Sequence, residues 1–339
     1  MQISLLSRIQ GALVGGAVAD TLGACRQQAG GKFPFDYGAD GAVWRLPPLS
    51  AAASIPWGRQ WVKAVDGWLK SGGQSWGHLG QADQLIQFED PAASAIALLP
   101  LIIITHTDPV QQQFALTSAV TDADWDFTRW LAALIGAAFI NLALQNRLTP
   151  VSLIERLSLQ IKELDLSVNN LHISGHLFQP DVSLEALRLL ETIHRLIHQP
   201  DGLALAVEEL QETSTSFRAL GLALYCFLTS PEEPRLTIMR ALSCEYSPQL
   251  TATLTGILTG AYNGLGGIPI NWRSGLHQTQ AGQTAISMLW RLPAEQSLRQ
   301  LSEVLLAAWS GVDIGLIQSM PYSHVADRVE SGVFEGGSL

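Results

Sequence analysis

Several sets of residues have types and spacings that suit chemistry. His172 with His176, and His194 with His198, stand four apart, where helical neighbours can grip one metal ion. Neither pair encloses the glutamate of a zincin, and Gly175 and Pro200 interrupt the helices the pairs need. Asp122, Asp124 and Asp126 alternate in TDADWDFT like part of a calcium loop, but the glycine and distal glutamate of such a loop are missing. The plainer reading is a helix start with acids in its first turn. Gly256, Gly260 and Gly264, with Tyr262 beside them, offer close backbone approach and an aromatic face. That pattern suits a ligand approached closely by backbone and equally suits helix packing. No Walker loop and no GxGxxG after a strand occurs.

The three cysteines, Cys25, Cys226 and Cys244, are too few and too far apart for a disulfide framework or a CxxC site, so a reducing cytoplasm is the expected compartment. Charged residues make up 15% of the 339, against roughly 25% in an average soluble domain, while the apolar set makes up 47%. So little charge implies a large buried core. The net charge of −10 and the lack of a Lys/Arg cluster argue against a nucleic-acid partner. The apolar runs 92–104 and 131–138 fall short of the roughly 20 residues a spanning helix needs. The first twenty residues, with one Arg and with Gln10 and Asp20 breaking the apolar stretch, do not read as a signal peptide. No membrane association is expected.

The elements that position these residues read as helices. Helical spacing runs over 5–23, 57–69 (with a stripe of Trp57, Trp61 and Trp68, a pattern typical of a core), 94–105, 114–120, 127–144, 150–164, 182–198, 216–228, 236–242, 251–264 and 293–309. Gly11, Gly15 and Ala19 line one face of the first helix, as the glycines at 256, 260 and 264 line a later one. Asp108-Pro109 reads as a turn, and 30–54 as a long loop rich in Gly and Pro. Sustained period-two alternation is absent, so the expected class is all-α, a compact orthogonal helical domain. Residues 1–276 form the main body, 277–323 an additional helical segment packed on it, and 324–339 a Gly- and Ser-rich flexible tail.

Two stretches together resemble the ADP-ribosylglycohydrolase family. RIQGALVGGAVADTLGA (8–24) is similar to the family's opening helix, R-x-x-G-A-L-x-G-x-A-x-G-D-x-L-G-A, and TLTGILTGAYNGLGGIPINWRSGL (253–276) to its closing helix and the G-I-P-x-x-W turn. Between them, residues 219–242 look like the preceding helix pair, and Thr105-His106 with Pro109 like the family's T-H-x-x-P. The resemblance implies removal of ADP-ribose from modified side chains with two magnesium or manganese ions, which polarise the ribose and activate water.

Such hard cations require several converging carboxylates, and the family's acidic positions are filled differently in this chain. The acid expected after the opening motif is Gln27. The T-D-D-T that should precede the second helix is replaced by SAAASIPWGRQW, and the aspartates of G-G-D-x-D-T fall on Ser247 and Gln249. Glu245 is the only acid nearby. Asp20 keeps the family's Gly-Asp position, either as a remnant of the site or as a buried hydrogen-bonding partner. His106 either points into the ancestral cleft or packs. Asp20 and His106 are therefore the weak catalytic candidates; Gly256, Gly260, Tyr262 and Gly264 are the ligand-binding ones. No metal ligand and no cofactor is expected. The leading expectation is a catalytically degenerate member that binds ADP-ribose, an ADP-ribosylated protein or another protein partner. The alternatives are a metal-dependent hydrolase with a site rebuilt from Asp20, Asp83, Glu89 or Asp90, and a purely structural assembly subunit.

Overall fold

A computed structural model describes residues 3–30, 55–73, 90–146, 150–167, 179–198, 202–280 and 282–320. Nearly all of the loop read at 30–54 lies outside them, as do His172, His176, Asp83, Glu89 and the 324–339 tail.

The fold is all-α. Its helices are α1 (Leu5–Gln28), α2 (Trp57–Lys70), α3 (Ala93–Ala97), α4 (Leu99–Thr105), α5 (Pro109–Asp122), α6 (Phe127–Gln145), α7 (Pro150–Ser167) and α8 (Pro180–His198). They continue with α9 (Leu203–Thr213), α10 (Arg218–Thr229), α11 (Pro234–Ser243), α12 (Pro248–Asn263), α13 (Ile270–Gly275), α14 (Ala285–Leu289), α15 (Glu295–Trp309) and α16 (Ile314–Gln318). Among the described residues the only strands form a hairpin of two-residue strands, Thr279 opposite Thr284 and Gln280 opposite Gln283.

Helix α1 runs through the core, packed along α12 and against α15. The glycines of the two long helices meet face to face in antiparallel order. A Cβ on Gly11 would lie 2.2 Å from the Gly260 carbonyl oxygen, and one on Gly15 2.4 Å from that of Gly256; from the other side, a Cβ on Gly260 would lie 1.9 Å from the Gly11 oxygen. Any side chain there collides with backbone, which cannot move aside as a flexible side chain can. The ridge of Gly256 and Gly260, a candidate ligand cradle from sequence, is thus filled by α1. Gly264, at φ +69°, terminates α12 against Ile3 and Ser7. Gly260→Val is expected to destabilise the protein by about 3 kcal/mol or more through overpacking. Gly266→Ala, whose Cβ would meet nothing within 4 Å, should stay within about 0.5 kcal/mol of wild type. Denaturant midpoints of the two variants check this contrast.

Several boundaries differ from the sequence reading for identifiable reasons. The apolar run 94–105 divides into α3 and α4 at Leu98, because Pro100 has no N–H to continue the ladder to the Ile96 carbonyl. The Trp61 indole donates to that carbonyl instead, at 2.8 Å. Asp108-Pro109 is a helix start rather than a turn alone: the Asp108 carboxylate accepts from the Val110 and Gln111 N–H groups, and α5 begins at Pro109. The three alternating aspartates do not share a first turn. Asp122 ends α5, Asp124 sits between the helices at φ +53°, and Asp126 caps α6 by accepting from the Arg129 N–H. Helix α9, absent from the sequence reading, buries only Ala206 and Leu210, too short a stripe to stand out. Helix α6 is long and apolar enough to cross a membrane, but 78% of its apolar window is buried inside this fold.

Trp57, Trp61 and Trp68 are all buried. Trp61 meets Trp290 edge to face at 4.9 Å, so the segment after 276 enters the core rather than lying on it. The same segment is tied down by Glu295, whose carboxylate is 6% exposed and accepts from Arg273 Nη2 at 2.6 Å and Arg299 Nη2 at 2.9 Å. Burial alone would raise the Glu295 carboxyl, but His277 close by and the hydrogen bonds from Arg273 and Arg299 outweigh it and hold the group at about 2. A carboxyl lowered on folding contributes stability that is present above its ordinary value of 4.5 and lost as pH falls toward 2. Acid titration of the denaturant midpoint should therefore show a step in that window for the wild type which Glu295→Gln lacks; equal slopes for the two proteins would refute it.

Candidate functional site

A cavity of about 220 Å³ opens where the second half of α1, the first turn of α12 and the start of α2 converge. Asp20 and Gln27 come from α1, Ser247 to Leu250 from α12, and Ile55 and Trp57 from the approach to α2. The glycine contact of α1 with α12 sets the spacing of these walls. Arg26 ties α1 to the approach to α12, its Nη1 donating to the Cys244 carbonyl at 3.1 Å.

Asp20 is the acid among the described lining residues, and it is 1% exposed. Its Oδ1 accepts from Gln249 Nε2 at 3.0 Å and Thr253 Oγ1 at 3.1 Å, and its Oδ2 accepts from Trp290 Nε1 at 2.9 Å. Three neutral donors therefore satisfy one buried carboxylate from two other parts of the chain. Its charge is felt five residues on: burial first, and Asp20 second, push the Cys25 thiol up to about 12, so this cysteine is no nucleophile.

The positions that the family resemblance assigns to acids do meet at this cavity, as Gln27, Ser247 and Gln249. Ser247 precedes Pro248 in a left-handed conformation, φ +38° and ψ +55°, a strained geometry for a residue with a Cβ. Ile55 and the buried Trp57 stand where the acids before the second helix were expected, as apolar walls. Among the described residues no group of three or more His, Cys, Asp or Glu could hold a metal ion. These side chains do not fit a pair of hard divalent cations: one carboxylate, already committed to an amide, a hydroxyl and an indole, leaves their charge without counterpart.

The other candidates lie elsewhere. His106 is 3% exposed, with Nδ1 2.7 Å from the Ile103 carbonyl oxygen and its ring 5.2 Å from that of Trp309. Its backbone carbonyl accepts from Gln145 at the end of α6, which is the end that Arg8 of α1 also binds through the Ala143 carbonyl. Arg8 and Asp20 are separated by twelve residues of helix, roughly 18 Å, so His106 packs at the far end from the cavity. Burial lowers its pKa, which keeps the ring neutral. Tyr262 packs edge to face on Phe227 near that same end. Asp90 starts α3, its Oδ1 accepting from the Ala92 N–H at 2.9 Å, and does not line the cavity; burial raises its carboxyl against the opposing pull of Ala92, Tyr246 and Arg218. Glu245 is exposed and is likewise not a wall of the cavity. His194 and His198 have their rings 4.7 Å apart on α8, with no third ligand among the described residues.

Sequence reasoning missed Trp290, Thr253 and the role of Trp57 as a wall. Thr253 follows Gln249 by one helical turn, a signal that was available. Trp290 lies 270 positions from Asp20 and gave none.

Across 91% of its length the chain superposes on 99% of a solved structure named "ADP-ribosylglycohydrolase-related protein complex", with a TM-score of 0.54 and 17% sequence identity. That likeness defines the fold. The ADP-ribosylglycohydrolase family model matches residues 42–308, and the chain belongs to this family. The match runs into α15, beyond the 276 at which the sequence resemblance ended. No curated protein matches the chain by sequence.

Substituting Asn for Asp20 sets an amide against donors on every side. Asp20→Asn is expected to cost about 2 to 3 kcal/mol in chemical denaturation, the scale of hydrogen bonds to a charged group. An unchanged midpoint would show that the three donors are not what the carboxylate contributes.

Proposed function

We propose that this chain is a non-catalytic ADP-ribosylglycohydrolase family member, working in the cytoplasm, whose cleft binds a nucleotide-like ligand without a divalent metal. The observation that carries the reading is the Gln249–Asp20 hydrogen bond. At a position where the family resemblance expects a metal-binding aspartate, an amide N–H points at the retained acid. The amide supplies the positive end of a dipole where a cation would otherwise be needed.

The remaining walls suit recognition rather than hydrolysis. Gln27, Ser247 and Gln249 offer donors and acceptors but no base, and Ile55 offers apolar surface. The N-terminus of α12 opens on the cavity, and its dipole favours an anionic group. Isothermal titration of the full chain with ADP-ribose tests this: saturable binding that is unchanged by magnesium and lost in Gln249→Leu supports it. Release of ADP-ribose from ADP-ribosylated arginine with magnesium or manganese, above a heat-inactivated control, would overturn the non-catalytic reading.

An assembly role is the second reading, favoured by a separate observation. Val110 and Phe114, one turn apart on α5, are 81% and 77% exposed, an unusual cost for apolar side chains unless covered. The solved relative is itself named as a complex. Absence of ADP-ribose binding together with a mass above that of a monomer on sizing favours this reading over the first.

A further inference from the structure

A second cavity, of about 300 Å³, lies between α13 and the start of α15 and shares no described residue with the cleft. Arg273, His277 and Arg299 line it around the buried Glu295. Both arginines spend the same part of their forks on that carboxylate: Nε and Nη2 of each bond to it, at 3.4 and 2.6 Å for Arg273 and at 3.1 and 2.9 Å for Arg299. Neither Nη1 makes a hydrogen bond among the described residues. His277 lies 3.7 Å from Glu295 through Nε2 and is half exposed.

The cluster carries one positive charge more than it cancels, even with His277 neutral, on a chain whose net charge is −10. Glu295 does not neutralise the site so much as hold two guanidinium groups in fixed orientations, since each is gripped at two nitrogens. Rigid, partly buried guanidinium edges beside an imidazole are the usual means of recognising an oxyanion. Three cationic or donor groups answer the three terminal oxygens of a phosphate better than the two of a carboxylate. Ile270, 65% exposed on the rim, gives an organic substituent an apolar seat.

We infer that this pocket is a phosphate-binding site, taking the terminal phosphate of a small phosphorylated molecule on the Nη1 groups of Arg273 and Arg299 and the ring of His277. The inference is independent of what occupies the cleft.

The test is calorimetric titration of the full chain at fixed ionic strength with inorganic phosphate, phenyl phosphate and acetate. Saturable binding of phosphate is expected, tighter for phenyl phosphate and weaker for acetate. Arg299→Gln should weaken phosphate binding about tenfold, the equivalent of one charge-assisted hydrogen bond, and His277→Gln should weaken it less. The cleft variant Gln249→Leu should leave it unchanged. Thermal midpoints of the same variants separate fold from site. A lowered midpoint in Arg299→Gln with undiminished phosphate affinity would make the cluster purely structural and overturn the inference. So would the absence of saturable phosphate binding to the wild type, acetate binding as tightly as phosphate, or loss of binding in Gln249→Leu alone.

Discussion

The structure depends on two helices touching through their backbones. Gly11 and Gly15 of α1 face Gly260 and Gly256 of α12 so closely that no side chain fits between them. Glycine inside a helix costs up to about 1 kcal/mol relative to alanine, so four of them on one interface are a substantial local loss. The return is close packing of two long apolar helices over most of their length, with dispersion contacts that a wider spacing would forfeit. Because the pair is antiparallel, that contact also fixes which residues meet beyond the glycines: Gly23 lies against Gln249, and Asp20 against Gln249 and Thr253.

The cleft is a consequence of this register. Three residues at the start of α12 and two on α1 converge there because the helices cannot slide without driving a Cβ or a carbonyl into a neighbour. What the register brings together chemically is decided residue by residue. The same frame that would present several carboxylates to a pair of cations presents Asp20, Gln27, Ser247 and Gln249. Within this frame Asp20 is a buried charge that must be solvated by its neighbours. Gln249, Thr253 and Trp290 do so with neutral donors, which satisfy a carboxylate without adding a second charge to desolvate.

Much of this was legible in the sequence. The four-residue spacing of glycines in 11–15 and 256–264 announced two ridged helices, and the family motifs placed Gln27, Ser247 and Gln249 at one site before any coordinates. Spacing could not say whether the second ridge faced a ligand or another helix, since either demands the same absence of side chains; only the partner glycines on α1 decide it. His106 was ambiguous for a related reason: a motif places a residue along the chain, not at an end of a bundle. Reading 94–105 as one helix passes over the break before Pro100, and the Trp61 indole that takes up the freed Ile96 carbonyl was not visible, because hydrogen bonds across 35 positions leave no periodic trace. Trp290 is the extreme case, since its segment read as an addition to the domain.

The scarcity of charge takes on a structural meaning from where the buried charges sit. Arg8 binds the carbonyls of Ala143, Ala261 and Tyr262; Asp20 binds Gln249, Thr253 and Trp290; Glu295 binds Arg273 and Arg299. Arg8 and Asp20 are satisfied from sequence-distant elements, Glu295 from Arg273 on α13 and from Arg299 one turn along its own helix. Burial of apolar surface is non-directional, so by itself it is nearly indifferent to which apolar faces meet. A buried charge is not indifferent: displaced by one turn, it loses its partners and bears the full cost of desolvation. Arg8 near one end of α1 and Asp20 toward the other therefore penalise the same displacements of α1 that the glycine contact with α12 forbids. Asp20 thus has a structural role in addition to its place in the cleft wall.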